Sequence, residues 1–201
     1  MASNSPVILL VGFDEAGRGP LAGPVSAGAV ILPENFPVEI LNDSKKLSEK
    51  KRGYAEIIIK EKACWGIGLV DHKKIDEINI LNASMLAMKL AYEEMLKKLP
   101  DWCKFNGINY ADIELQAITD GNKCPDVECS VRAEPKADGK YPPVMAASIL
   151  AKTCRDRIMI EMDKKYPAYG YAGHKGYPTA KHRAICHEIG PSPIQRLTFK
   201  Y

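Results

Sequence analysis

The stretch VILLVGFDEAGRGPLAG, residues 7–23, begins with an apolar run and then changes to acidic residues and glycines. Residues 7–13 are typical of a buried β-strand, because a short continuous apolar run suits a strand that is covered on both faces. Asp14 and Glu15 follow directly, although aspartate and glutamate are poor strand and core residues. A like-charged pair at the end of a buried strand is costly without a nearby cation. The stretch therefore predicts a strand that leads into a functional site.

The remaining pattern predicts an α/β fold with a mixed sheet. Four further strands are predicted, at residues 25–32, 63–70, 112–119 and 127–132, and the short link between the first two strands favours an antiparallel hairpin. Four helices are predicted: from the N-cap Ser48 to about residue 62, from 78 to 99, from Pro142 or Pro143 to 165, and from 179 to 189. The sequence has neither internal repeats nor a Gly/Ser/Pro-rich linker, so residues 1–201 are expected to form one domain.

Composition excludes several classes of protein. The 201 residues are 46% hydrophobic and 26% charged, which is typical of a globular protein, and the formal charge of +3 does not by itself indicate an anionic partner. No window approaches the roughly 20 apolar residues of a membrane span, and no signal peptide is recognised, so we expect a cytoplasmic protein without membrane contact. The six cysteines form no CxxC pair, and Cys124 with Cys129 lacks the further ligands of a structural zinc site.

Two more acidic residues occupy positions like that of Asp14. Asp120 ends the fourth predicted strand in AITDGNK, and Asp138 follows the fifth in KADGKY. Carboxylate oxygens at strand ends suit Mg²⁺ or Mn²⁺. Asp14 and Glu15 can share one metal site only if their strand bends or ends there, because successive strand residues point to opposite faces. The alternative is that each acid ends a strand in a solvated turn, where aspartate and glycine are common.

Basic and aromatic residues alternate near the C-terminus. Residues 164–187 contain five lysines and arginines, four tyrosines and no acidic residue, and a second basic group surrounds SKKLSEKKR at residues 44–52. Such segments can neutralise phosphates and stack on sugars or bases, although many basic runs are simply solvated surfaces. Together with an acidic metal site, they favour metal-assisted cleavage of a phosphodiester.

Five motifs in this order carry a resemblance to a known family: DEAGRGPLAGPV, NDSKKLSEKKR, TDGNKCP, KADGKYPPVMAASILAK and GYAGHKGYPT. From residue 7 to about 199, the chain resembles bacterial type 2 ribonuclease H, ribonuclease HII. The resemblance implies an RNase H-like mixed β-sheet flanked by helices, with a helical C-terminal region. It also implies hydrolysis of the RNA strand of RNA–DNA hybrids. Duplex DNA would be nicked 5′ of a single embedded ribonucleotide, by two metal ions, leaving 3′-hydroxyl and 5′-phosphate ends.

The resemblance also assigns roles to individual residues. The family's catalytic and metal-binding acids fall on Asp14, Glu15, Asp120 and Asp138. Its 2′-hydroxyl sensor falls on Gly17, Arg18 and Gly19, and its junction-sensing tyrosine, which packs on the next deoxy sugar, falls on Tyr177. Lys45 and Lys46 would contact backbone phosphates. The sequence departs from the family at Asn82, where glutamine is more usual, and at Gln195, where histidine often stands.

The expected partners are an RNA–DNA hybrid and a DNA duplex that contains ribonucleotides, and nothing in the sequence requires more than a monomer. Three alternatives are weaker. A DNA-junction resolvase on the same fold would share the acids but would not use a 2′-hydroxyl sensor. A nucleic-acid-binding module without chemistry would bind in EDTA and cut nothing. A dinucleotide-binding enzyme would need GxGxxG spacing, which GFDEAGRGPLAG lacks.

Overall fold

The computed structural model describes residues 6–42 and 44–200, so both ends of the predicted 1–201 domain, residues 1–5 and 201, lie outside the described part. Within that part, five strands form one sheet in the order β3-β2-β1-β4-β5. Their bounds are β1 Val7–Ala16, β2 Val25–Ile31, β3 Cys64–Val70, β4 Ile113–Asp120 and β5 Ser130–Glu134. β2 pairs antiparallel with β1 and β3, whereas β4 pairs parallel with β1 and β5. The mixed sheet and the β1–β2 hairpin are therefore confirmed.

The helices follow the predicted order with local differences. Their bounds are α1 Glu49–Lys62, α2 His72–Leu96, α3 Leu99–Phe105, α4 Pro142–Lys165, α5 Tyr171–His174 and α6 Ala180–Ile189. The predicted start of α2 at residue 78 is wrong, because Asp71 caps an earlier start by accepting a hydrogen bond from the Lys74 amide at 2.8 Å. The predicted end of α2 at residue 99 is also wrong. The helix ends at Leu96, and Pro100 lies in the first turn of α3, where its missing N–H costs nothing.

An unpredicted break divides α2 at Asn79, whose φ of 66° is left-handed. The Asn79 side chain compensates for the break, because its Oδ1 accepts hydrogen bonds from the Leu81 and Asn82 amides at 3.0 and 3.1 Å. Asparagine tolerates this conformation better than most residues, and its carbonyl caps the helix that restarts after it.

Two glycines allow α4 to lie close to the sheet. A Cβ added at Gly12 would lie 2.2 Å from the carbonyl carbon of Pro143, and one at Gly28 would lie 2.6 Å from the Ala147 oxygen. The small residues of β1 and β2 therefore determine how near the AASILAK segment of α4 comes to the C-terminal end of β1. This close approach brings residues of α4 into the site described below.

α2 covers the opposite face of the sheet. Phe13 packs there against Tyr92, with ring centroids 6.0 Å apart, in a core built from β1, β2, α2 and α3. A second core lies between the sheet, α1 and α4 and includes Ile59 and Ile149. None of the helices in the described ranges is long and apolar enough to cross a membrane.

Candidate active site

β1 continues three residues beyond its predicted end at Phe13. β2 pairs with the extension, matching Asp14 to Gly28 and Glu15 to Ala27, while the pairing with β4 stops at Phe13 and Thr119. On the β4 side the Glu15 amide is thus outside the ladder, and it donates a hydrogen bond to Asp14 Oδ1 at 2.7 Å. The two acids therefore belong to an ordered strand edge rather than to a solvated turn.

Three of the four predicted acids meet at this edge. One carboxylate oxygen each of Asp14, Asp120 and Asp138 lies within 4.8 Å of the others. The parallel register that pairs Phe13 with Thr119 makes the next two residues, Asp14 and Asp120, neighbours. Asp138 arrives on a 3-10 turn at Ala137–Gly139, and Asp120 Oδ1 accepts a hydrogen bond from the Ala137 amide at 2.8 Å. We call these three residues the aspartate cluster.

Glu15 lies beside the aspartate cluster rather than in it. Strand alternation points Glu15 away from Asp14, and its Oε1 lies 3.3 Å from the Arg18 guanidinium. Burial raises the pKa of Glu15, with a smaller contribution from the Asp120 charge, and Arg18 opposes the increase. Because β1 continues past Asp14 to Ala16, the strand end that would let Asp14 and Glu15 share one metal is not present. Glu15 is close enough to Asp120 for that charge to raise its pKa.

The electrostatics of the aspartate cluster favour a cation. Asp14 is 5% exposed, and burial raises its pKa well above its usual range, with further increases from the Glu15 and Asp120 charges. Hydrogen bonds from the Ser148 hydroxyl and the Glu15 amide oppose the shift. Buried like charges repel each other, and hard carboxylate oxygens prefer Mg²⁺ or Mn²⁺. The donor set therefore fits a divalent metal.

A serine pair connects the aspartate cluster to the basic segment. The hydroxyls of Ser148 on α4 and Ser44 lie 2.8 Å apart, and both side chains are buried. The next residue, Lys45, places its Nζ 4.0 Å from Asp138 Oδ2. Ser148 was not predicted as a site residue, although it lies in the AASILAK segment, one of the motifs that carry the family resemblance.

Four lysines surround the outer side of the aspartate cluster. The cleft that contains Asp120 and Asp138 is also lined by Lys45, Lys46, Lys136 and Lys140. Lys45 and Lys46 were predicted, whereas Lys136 and Lys140 were not, because their position beside the acids depends on the path of the chain after β5. An acidic floor with a basic rim suits a phosphodiester strand that binds together with metal ions.

The Gly-Arg-Gly segment and Tyr177 form the other side of the site. A neighbouring cleft is lined by Glu15, residues 17–19, Ser44, Lys45, Ser148, Lys152 and Tyr177. Gly17 has a φ of 100°, and the side chain of Tyr177 is partly exposed. A Cβ added at Gly19 would lie 3.7 Å from Tyr177 Cε1, so the ring faces this glycine. The structure thus brings all ten predicted site residues to one region.

Comparison with known proteins identifies the family. The family model described as Ribonuclease HII matches residues 11–201. A ribonuclease HII of Treponema denticola is 52% identical over 195 residues, which cover 95% of this chain and 98% of the relative. The chain belongs to the ribonuclease HII family. It is therefore a metal-dependent endoribonuclease that acts on the RNA strand of RNA–DNA hybrids.

Other ribonucleases HII and solved structures agree. The Dechloromonas aromatica ribonuclease HII is 46% identical over 96% of this chain and 92% of its own length. The ribonuclease H2 of Pyrococcus horikoshii is 27% identical with a TM-score of 0.68, covering 96% of this chain and 94% of that one. An Archaeoglobus fulgidus RNase HII, solved in a complex with PCNA, is 26% identical with a TM-score of 0.66, covering 96% of both chains. The predicted RNase H-like fold is confirmed.

Proposed function

We propose that this ribonuclease HII nicks duplex DNA on the 5′ side of a single embedded ribonucleotide, in addition to cutting the RNA strand of hybrids. The products would carry 3′-hydroxyl and 5′-phosphate ends. The observation that supports this proposal is the cleft that holds residues 17–19 and Tyr177. Its lining also includes Ser148, which bonds to Asp14, and Lys45, which lies 4.0 Å from Asp138, so it adjoins the aspartate cluster. A site that only hydrolyses phosphodiesters needs the acids, whereas recognition of one ribonucleotide also needs a surface that distinguishes sugars.

Asp14, Asp120 and Asp138 would hold the divalent metal, with Glu15 as a fourth acid on the inner side. When bound, a pair of Mg²⁺ or Mn²⁺ ions would supply an activated water and stabilise the leaving 3′-oxygen. The protein holds the carboxylates in place before the metal arrives, through the Ala137 amide on Asp120 and the Ser148 hydroxyl on Asp14. This fixed arrangement reduces the reorganisation required when substrate binds.

Residues 17–19 would recognise the ribose. Because Gly19 has no side chain, the backbone beside it can approach the sugar closely enough to bond a 2′-hydroxyl. The Tyr177 ring faces Gly19 and would pack on the next sugar, where a deoxyribose leaves room for it. Lys45 and Lys46 would bind the backbone phosphates as the strand enters the acidic floor.

The same proposal covers the setting of the reaction. We infer that residues 1–201 act as one domain and as a monomer, because all the proposed site residues come from a single chain. Removal of ribonucleotides from DNA belongs to replication and repair, so we place the protein in the cytoplasm, where bacterial DNA lies.

The decisive experiment is a cleavage assay on a labelled DNA duplex that contains one ribonucleotide. The matched control is the same duplex made only of deoxynucleotides, and each is incubated in Mg²⁺, in Mn²⁺ and in EDTA. We expect a metal-dependent nick 5′ of the ribonucleotide and no cut in the control. Cleavage of both duplexes would instead indicate a nuclease that does not recognise the sugar. Cleavage of a long hybrid but not of the single-ribonucleotide duplex would contradict the proposed specificity.

A further inference from the structure

Two buried arginines lie beneath residues 17–24, which we call the sugar loop. Arg155 on α4 is 1% exposed, and Arg196 near the C-terminus is 0% exposed. Buried arginines are normally paired with carboxylates. Within the described residues, however, the guanidinium hydrogen bonds, three from Arg155 and four from Arg196, all go to backbone carbonyl oxygens.

Arg155 joins the sugar loop to the segment that carries Tyr177. Its guanidinium donates to the carbonyl oxygens of Ala22 and Pro24 at 3.1 and 2.9 Å. It also donates to the Lys175 oxygen at 2.9 Å, two residues before Tyr177. The guanidinium carbon lies 5.8 Å from the centroid of the Tyr177 ring. One side chain therefore contacts both parts of the proposed sugar-recognition surface.

Arg196 holds the two ends of the sugar loop together. Its guanidinium donates to four carbonyl oxygens, those of Gly17, Arg18, Gly23 and Pro24, at 2.7, 3.1, 2.9 and 3.1 Å respectively. Its backbone amide donates to the Leu21 oxygen at 2.8 Å, between those two ends. Arg196 therefore fixes the backbone of residues 17 and 18, which belong to the segment proposed to recognise the ribose.

Burial of the two charges has an electrostatic cost. It lowers the pKa of Arg155 to about 10 and that of Arg196 to about 9, and the charge of Arg155 adds to the shift of Arg196. The hydrogen bonds offset this cost, because they satisfy backbone carbonyl oxygens that an apolar side chain would leave without a donor. What apolar residues cannot supply is a rigid planar set of donors that fixes several carbonyl oxygens at once, and lysine, with a single nitrogen on a flexible stem, cannot supply it either.

We propose that Arg155 and Arg196 are positioning residues that fix the backbone of residues 17–19 relative to the Tyr177 ring, and thereby set the preference for a ribonucleotide followed by a deoxyribonucleotide. The inference rests on the proposed function. A single embedded ribonucleotide requires two adjacent sugars to be recognised together, one by the loop and one by Tyr177. A long hybrid offers ribose at every step and no deoxy sugar for Tyr177, so its cleavage depends less on the spacing between the two.

The test compares Arg155→Lys and Arg196→Lys with wild type on two substrates, a duplex with one ribonucleotide and a long RNA–DNA hybrid. The control is Ile59→Ala in the core between α1 and α4, which lowers stability without touching the sugar loop. Melting temperatures identify the loss of stability in each variant. We expect each lysine variant to lose at least about tenfold in kcat/KM on the single-ribonucleotide duplex, the size of effect that one lost specific contact produces. The loss in kcat/KM on the hybrid should be several-fold smaller. The control should keep the wild-type ratio of kcat/KM between the two substrates.

If both lysine variants lose the same factor in kcat/KM on the two substrates, their preference for the single-ribonucleotide duplex equals that of Ile59→Ala. That result would overturn the inference and leave the arginines with a purely structural role. If a lysine variant does not fold, Arg155→Gln or Arg196→Gln takes its place, since the neutral amide has no charge to bury. Failure of the proposed function has a different signature, because wild type itself would then not cut the single-ribonucleotide duplex.

Discussion

At the scale of single residues, the aspartate cluster places negative charge where it is unfavourable without metal. Asp14 is nearly inaccessible, Asp120 and Asp138 approach it, and the neighbouring hydrogen bonds only partly offset the raised pKa. This electrostatic cost indicates a binding function, because an ordinary strand end would not retain it. Two predictions test it.

Asp120→Asn should abolish cleavage while leaving the fold intact. Asparagine keeps the oxygen that accepts the Ala137 amide hydrogen bond but removes the charge that would bind metal. We expect activity to fall by more than about 100-fold, since even indirect supports of metal ligands are worth 10–100-fold. Cleavage assays and circular dichroism measure the two effects. Asp101→Asn on the exposed surface of α3 is the matched control, and cleavage at the wild-type rate by Asp120→Asn would exclude a role as metal ligand.

Asp14→Asn should stabilise the metal-free protein at neutral pH. The raised pKa of Asp14 means that the folded chain retains a proton which the unfolded chain releases above about pH 4. The free energy of unfolding of wild type in EDTA therefore falls as the pH rises from about 4 toward the raised pKa of folded Asp14. The asparagine variant has no carboxyl group at this position and does not lose this stability. We expect a higher melting temperature for the variant at neutral pH, by about 2–4 °C per kcal/mol, and convergence near pH 4.

Thermal melts in EDTA across that pH range measure the difference. Added Mg²⁺ should then stabilise wild type more than Asp14→Asn. A variant that melts below wild type at neutral pH in EDTA would show that Asp14 stabilises the fold by itself.

At the scale of elements, the site depends on close approach between backbones. Gly12 and Gly28 let α4 pack close to the sheet, so that Ser148 reaches Asp14. Pairing with β2 keeps β1 extended through Asp14 and Glu15 and so orders both acids. The sugar loop also depends on a close approach, because Arg155 packs directly against the backbone of Gly17. A Cβ at Gly17 would lie 2.2 Å from Arg155 Nε. The two glycines of the Gly-Arg-Gly segment consequently have different roles.

Gly17→Ala should destabilise the protein, whereas Gly19→Ala should not. Gly17 combines a φ of 100° with the Arg155 contact, so we expect a loss of about 1–3 kcal/mol. Gly19 has an ordinary φ, and its added Cβ would meet only Tyr177 at 3.7 Å, so stability should change by less than about 0.5 kcal/mol. Its methyl group would still obstruct the approach of the ribose, so KM should rise. Denaturant melts and cleavage kinetics separate the two effects, and equal destabilisation would contradict the assignment.

At the scale of the whole molecule, segments distant in sequence assemble the proposed sugar-recognition surface. The Leu21 amide donates to the Gly176 oxygen at 2.8 Å, and Ala22 forms a β-bridge with Gln195. The N-terminal sugar loop, the Tyr177 segment and the C-terminal segment are thus hydrogen-bonded to each other around Arg155 and Arg196. The departure from the family pattern at Gln195 lies in this assembly, away from the acids.

Tyr177→Ala should reduce cleavage at a single ribonucleotide far more than it reduces stability. The ring is 39% exposed and packs on the assembled surface, and stacking of an aromatic ring on a nucleotide is worth about 1–3 kcal/mol, or roughly 5- to 150-fold in rate. Tyr54→Ala on α1, where the tyrosine is 59% exposed, is the matched control. Kinetics and thermal melts of both variants measure the difference. Should Tyr177→Ala lose stability and activity in parallel, the ring belongs to the core.

Local sequence patterns predicted the fold class, the chain order of the strands and of the four longest helices, and four acids as candidates for a metal site. These features follow from local patterns of apolar and polar residues and from turn residues, which act over short stretches of chain. The resemblance to the family added the proposed roles of residues 17–19 and Tyr177. Boundaries set by side-chain caps, such as the early start of α2 and its break at Asn79, were harder to predict.

Which of the acids meet, and how the sugar loop is held, depends on tertiary contacts. Glu15 stands apart from the aspartate cluster because β2 keeps β1 extended, and Asp14 meets Asp120 because a parallel register aligns their strands. Arg155 and Arg196 support the loop because α4 and the C-terminal segment converge beneath it. These contacts join residues far apart in the chain, and their geometry depends on packing that no local pattern encodes.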